Sequence, residues 1–305
     1  MKDLKYYLDK AKDESFAIGS FNFSNLETLQ AITEASIETH SPVIVAVSES
    51  ALKYMDNYVV GLAKCAKENN PNLFLHLDHG KSFEVCKKAI DYGFDSVMID
   101  GSHLDFEGNI ALTKSVCEIA HQKGILVEGE LGQIKGIEDN VSASDHHFTN
   151  PEQAKEFVEK TGVDTLAISI GTSHGVYKSN ANKLRFDILE KIQEKIPHTP
   201  LVLHGASSVG KQQIQQFEQS GGILEKAGGI ADAELQKAAQ QTHIAKVNCD
   251  TDLRLALTSE IRCFLNQNPD KFDPRQYLAL ARENVKKVVV EKMKNILNSK
   301  QKIEC

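Results

Sequence analysis

The sequence is 305 residues long and 41% hydrophobic, enough to bury one large α/β core or two small ones. Its formal net charge of -7 argues against a nucleic-acid surface, and it carries neither an arginine–lysine stripe nor an RNA-binding signature. No apolar run reaches the roughly 18 residues that suggest a membrane span, and residues 1–15 lack the apolar stretch of a signal peptide, so a cytoplasmic protein without membrane contact is expected.

In chain order, short apolar runs rich in β-branched residues alternate with helical stretches. The runs are FAIGSFNF at 16–23, SPVIVAVS at 41–48, NLFLHLD at 72–78, SVMID at 96–100, GILVEGEL at 124–131, DTLAISI at 164–170, PLVLH at 200–204 and IAKVN at 244–248. Between them, NLETLQAITEASIETH at 25–40 and SFEVCKKAIDYGF at 82–94 place apolar residues at helical spacing. Eight such units in about 250 residues predict a (β/α)8 TIM barrel, read as one domain over residues 1–305. A doubly wound sheet is the weaker alternative, because no GxGxxG follows the first strand. Residues 132–150 are too long and polar for a simple turn and predict a mobile active-site loop. Residues 221–234 read as a second insertion, and the tail from Asp273 as extra C-terminal helices whose apolar face asks for a partner surface, as in a homo-oligomer. Six cysteines without CxxC spacing suggest neither a disulfide framework nor a thiolate metal site, and should be reduced.

The chemistry is expected at the C-terminal ends of the strands, where Asn22, Glu49, Asp78, Asp100, Glu130, His174, His204 and Asn248 fall. Three histidines, His79, His174 and His204, each end an apolar run and each precede a glycine. One such histidine is ordinarily a strand cap. Three in matching positions predict an open, catalytic zinc site with its fourth position free for substrate. The third strand is expected to end at Asp78, so that both Asp78 and His79 reach the mouth; Asp78 would then orient a ligand or move a proton. HGASS and NCDT at the ends of the seventh and eighth runs predict phosphate binding, to which Gly175 and Lys178 could add an N–H and a cation. Arg254, one helical turn past Asp250, offers a forked donor for a second phosphate. Lys246 lies inside the barrel, as a Schiff-base nucleophile or, preferably, in an ion pair with Asp100 or Glu130. Asp145, His146 and His147 read as solvated loop residues.

These segments resemble the class II, metal-dependent fructose-bisphosphate aldolases and their tagatose-bisphosphate relatives over nearly the whole chain. LHLDHG at 75–80 is similar to the family's first motif, EGELGQIKGIE at 128–138 to its second, and GTSHG, VLHGASS and VNCDTDLR to its remaining site segments. The resemblance implies reversible, metal-dependent cleavage of fructose 1,6-bisphosphate to dihydroxyacetone phosphate and glyceraldehyde 3-phosphate, a step of glycolysis. It implies zinc on His79, His174 and His204, with Glu130 a further ligand in some relatives; whether a monovalent cation accompanies it stays open. Asp78 is implied as acid/base toward the C4 hydroxyl, and Glu138 as the base at C3. Asn248 would face the enediolate, and Gly175, Lys178, Gly205, Ser207 and Thr251 would surround the dihydroxyacetone-phosphate end. NCDTDLR resembles the fructose-specific members, with Asp250 and Arg254 facing the second phosphate, and tagatose 1,6-bisphosphate or another ketose bisphosphate as the alternative substrate. Lys135 departs from the family's small residue or methionine. A small phosphorylated sugar is the implied partner, and a dimer or tetramer the implied assembly. A Schiff-base aldolase, a zinc hydrolase and a silent sugar-phosphate sensor fit less well: the first strand ends in FNF rather than a metal pair, and a sensor needs neither Asp78 nor Glu138.

Overall fold

A computed structural model describes residues 2–304 apart from 134, 139–140, 144–146, 175–182 and 225–228, and gives only the backbone of 135–138, 141–143, 174 and 211. Each of the eight expected runs forms a strand: β1 (Ile18–Asn22), β2 (Val43–Ser48), β3 (Leu73–Gly80), β4 (Ser96–Ile99), β5 (Leu126–Leu131), β6 (Thr165–Ile168), β7 (Leu201–Leu203) and β8 (Ile244–Cys249). They pair in parallel in chain order, and β8 closes on β1 to complete a TIM barrel.

Strand alternation sorts the side chains into an outer and an inner set. Val43, Val45 and Val47 of β2 join the core beneath the surrounding helices, while Ile44 turns inward. The lowest inner layer is apolar. Ile18, Ile44, Phe74 and Ala245 meet Leu4, Tyr7, Leu8 and Ala11 of α1 (Leu4–Asp13), whose start is capped by the Asp3 side chain, so α1 plugs the barrel from below. The middle layer departs from the usual Val, Ile and Leu filling of such barrels. It holds His76, Ser96, Glu128, Thr165 and Lys246, all buried and bonded to one another.

The helix over 25–40 is α2 (Leu26–Thr39), with the Asn25 side chain bonded to the Thr28 N–H and His40 in a left-handed C-cap. That over 82–94 is α3 (Phe83–Asp91), started by the Ser82 hydroxyl. The polar stretch after β5 contains an antiparallel pair, Lys135–Glu138 with Val141–Ala143, joined in parallel by Ser173–His174. Its polar sequence read as loop because the alternating apolar signal of a buried strand is missing there. The insertion at 221–234 ends earlier than expected, since α4 (Asp232–Gln241) begins inside it. After β8 come α5 (Thr251–Gln267) and α6 (Pro274–Glu291). Buried Ala281, Val285 and Val289 lie on α6, which packs on α2 and α5, so much of the tail's apolar face is covered within the chain.

The described cysteines are free: Cys65 is exposed, whereas Cys86 and Cys117 are buried, with burial pushing both thiols up to about 12. Iodoacetamide at neutral pH should therefore label Cys65 and spare Cys86 and Cys117 until the protein is unfolded, as read by peptide mass spectrometry. Labelling of Cys86 in the native protein would contradict its placement.

Candidate active site

The site begins on β3. His76 and Asp78 point into the barrel, and the pairing of β3 with β4 slips between Leu77 and Gly80. His79 stands in that irregularity with φ of 50°, a left-handed conformation uncommon for a residue other than glycine. The strand therefore does not stop at Asp78 as expected; it runs on to Gly80, and the irregularity rather than a strand end brings His79 to the mouth. Gly80 serves packing: a Cβ there would lie 2.8 Å from the Met98 carbonyl oxygen and 2.9 Å from Cys86 Sγ. Gly205, by contrast, makes the turn after His204, with φ of 58°. The shared His-Gly pattern thus has two different backbone causes.

His79 and His204 are brought together, each held from behind by a carboxylate. His79 Nδ1 lies 3.2 Å from Asp100 Oδ2, and His204 Nε2 lies 2.7 Å from Glu128 Oε1. A carboxylate accepts, so each ring donates its N–H there. The remaining nitrogens, His79 Nε2 and His204 Nδ1, face one another at 3.0 Å. Two lone pairs at that distance require an electron-pair acceptor between them. For the chain by itself the acceptor is a proton. Burial pulls His79 down, but the Asp78 charge, the Asp100 hydrogen bond and Glu130 together hold it well above the ordinary histidine range, whereas burial keeps His204 below it. A metal ion fits the same place: ligands at about 2.0–2.1 Å in a tetrahedron stand roughly 3.3 Å apart. Asp78, His79 and His204 form one group with metal-ligand spacing, and His79, Asp100 and Glu130 another.

The surrounding carboxylates differ by environment. Asp100 is held well below the usual range despite burial, by the His79 hydrogen bond and charge and by the N–H and O–H of Ser102. Glu130 is pushed well above it, first by burial and then by the Asp100 charge, and its Oε2 has no hydrogen-bond partner. Asp78 accepts the Asn22 amide on Oδ2 at 2.8 Å and the Asn248 amide on Oδ1 at 2.9 Å. Asn248 also reaches His204 Nδ1 at 3.2 Å, and the amide oxygens of Asn22 and Asn248 are buried without partners. Two acceptors without donors, beside a fixed carboxylate, suit a ligand rich in hydroxyls.

The sequence matches the family described as Fructose-bisphosphate aldolase class-II over residues 2–302. The chain belongs to the class II fructose-bisphosphate aldolase family. It is 46% identical to a fructose-bisphosphate aldolase of Treponema pallidum (strain Nichols) over 95% of this chain and 94% of that protein. It is 47% identical to one of Thermus caldophilus, over 94% of each. In structure it is similar to the YdjI aldolase of Escherichia coli K12, with a TM-score of 0.80, 33% identity and 99% of both chains covered. Both of these relatives are named for fructose bisphosphate rather than for the tagatose alternative.

Other expected site residues fall as follows. Ser207 is buried, its hydroxyl accepting the Asp250 N–H at 3.4 Å, and Thr251 opens α5. Arg254 forks onto Asp250, Nε to Oδ1 at 2.9 Å and Nη2 to Oδ2 at 2.7 Å, with Asp250 buried and Arg254 58% exposed. Gly175, Lys178, Asp145 and His146 lie outside the described residues, as do the side chains of Glu138, Lys135 and His174. Lys246 pairs with Glu128 at 2.7 Å, not with Asp100 or Glu130 as expected, because it lies one layer deeper than either. Glu128 and Asp100 are the residues the sequence reading underrated. Glu128 shares the inner face of β5 with Glu130 by simple alternation, a signal overlooked in favour of the strand's end.

A cavity of about 570 Å³ opens at the opposite end of the barrel, lined among others by Lys5, Phe74, Phe94 and Leu126. Its cations Lys67 and Lys123 are paired with Asp95 and Asp91, and the convergent histidines and carboxylates lie at the other end, so the mouth is the better site.

Proposed function

We propose that this chain cleaves fructose 1,6-bisphosphate reversibly to dihydroxyacetone phosphate and glyceraldehyde 3-phosphate, using zinc held by His79, His204 and His174. The observation that carries the reading is the facing pair His79 Nε2 and His204 Nδ1, 3.0 Å apart, each ring fixed by its own carboxylate and flanked by Asp78. Bound there, zinc would act as a Lewis acid toward the substrate carbonyl and offset charge developing as the C3–C4 bond breaks. Glu130, whose Oε2 makes no hydrogen bond, suits a further ligand.

The residues divide the remaining work. Asp78, oriented by two amides, would take the C4 hydroxyl proton in cleavage and return it in condensation. Glu138 would return a proton to C3 of the three-carbon product. With His204 Nδ1 engaged as a ligand, the Asn248 amide directed at it becomes available to the oxygen that gains charge. Gly175, Lys178, Gly205, Ser207 and Thr251 would hold the dihydroxyacetone-phosphate end, and Arg254 the other phosphate. Exposed Leu265 and Leu280 on the last two helices, with Phe272 between them, support a homo-oligomer, which sedimentation would check.

A fructose 1,6-bisphosphate cleavage assay with borohydride present tests the reaction class. Cleavage without a covalent adduct supports the metal reading, and a reduced adduct on Lys246 would replace it with imine chemistry.

Arg254→Ala should weaken fructose 1,6-bisphosphate by on the order of 2 to 4 kcal/mol in kcat/KM, the range for truncating one partner of a charged pair. Removal of the guanidinium also takes away a cation that pairs with the Asp250 carboxylate where a phosphate must approach. Fructose 1-phosphate, without that phosphate, should be much less affected. Equal losses on both substrates would remove Arg254 from the second phosphate.

A further inference from the structure

Lys246 is a fully buried ammonium that no step of the proposed reaction uses. Its Nζ donates to Glu128 Oε2 at 2.7 Å and lies 3.0 Å from His76 Nε2, and His76 Nδ1 lies 2.8 Å from Ser96 Oγ. The other oxygen of Glu128 takes the Nε2–H of His204. Ser96, His76, Lys246, Glu128 and His204 therefore form one line of hydrogen bonds across four strands and the turn after β7. Each of these side chains belongs to a residue no more than 5% exposed, and the line ends at His204 Nδ1, facing His79.

Stability alone does not account for this arrangement. An ion pair taken out of water gains nothing dependable over apolar side chains of the same volume, which is what barrel interiors ordinarily hold. What the pair supplies is direction. Both oxygens of Glu128 are engaged, one from beneath and one from the side, so the carboxylate cannot rotate without breaking a bond in a fully buried site.

We propose that Lys246 is a positioning residue for the metal site: by holding Glu128 Oε2 from below, it keeps Oε1 on His204 Nε2 and so aims the His204 Nδ1 lone pair at the mouth. This rests on the reading of His79 and His204 as metal ligands. The side chain that an imine mechanism would recruit as nucleophile here serves two hydrogen bonds behind a ligand.

Cobalt(II) in place of zinc has a visible absorption sensitive to ligand geometry and needs no turnover. The wild-type chain should bind one Co2+ that His79→Ala cannot hold; failure of that arm sinks the metal-site reading itself. Lys246→Met should bind Co2+ roughly 10- to 100-fold more weakly, with a shifted band, and kcat should fall more than KM rises. Should that single change prevent folding by stranding the Glu128 charge, Lys246→Met combined with Glu128→Gln removes both ions. Its unfolding temperature should return to near wild type while its Co2+ affinity stays roughly tenfold or more below, since an amide at 128 is no longer held from beneath. Wild-type affinity and band in a folded Lys246→Met, or affinity regained along with stability in the double variant, would show that Lys246 is only a counter-charge and overturn the proposal.

Discussion

Prolonged EDTA is expected to abolish fructose 1,6-bisphosphate cleavage, and zinc to restore it. Asp100 and Glu128 fix the proton of each imidazole on its outer nitrogen, which leaves His79 Nε2 and His204 Nδ1 turned on each other at 3.0 Å. A proton can occupy that gap but cannot polarise a ketone strongly enough to release a carbanion; a Lewis acid can. His204→Ala should reproduce the EDTA result irreversibly, because it also strands Glu128 Oε1 in a buried site. Full activity in metal-free protein, measured with the metal content of the same sample, would exclude the metal mechanism.

Asp78→Ala is expected to keep the fold and the bound metal but lose on the order of 10² to 10⁴ in turnover, the range for a positioned proton-transfer group. The change also frees the amides of Asn22 and Asn248, which now converge on the carboxylate, yet both residues lie at the mouth, where substrate or water can take those hydrogens. Folding should therefore suffer little. Glu138→Ala should lose turnover on the same scale, but a partial reaction separates the two. Exchange of the C3 proton of dihydroxyacetone phosphate with solvent should fall with Glu138→Ala and be largely spared by Asp78→Ala. Equal loss of exchange in both variants would show that the division of roles is wrong.

The barrel was legible in the sequence because each strand is a short β-branched run bounded by helical spacing, and eight of them fill one closed sheet. Asp78, His204 and Asn248 were legible for a related reason: they stand at the ends of those runs, where alternation decides which way a side chain points. His79 could be assigned to the mouth but not for the right cause. A left-handed histidine in an irregular pairing leaves no mark in composition, and the adjacent glycine looked like a turn signal although packing against β4 requires it. Glu128 and Lys246 were harder still, since sequence reports that two charges are inside a barrel without reporting which layers they occupy.

The polar middle layer has a consequence for the first residues of the chain. Leu4 and Leu8 of α1 line a small void together with His76, Ser96, Glu128 and Lys246, at the end of the barrel farthest from the mouth. Those side chains are what keeps bulk solvent from the underside of the ion pair, and so what keeps its field undiluted where it acts on His204. The helix thus behaves as electrical insulation for chemistry it never touches. Trimming it away, with all eight strands left intact, would amount to an active-site mutation.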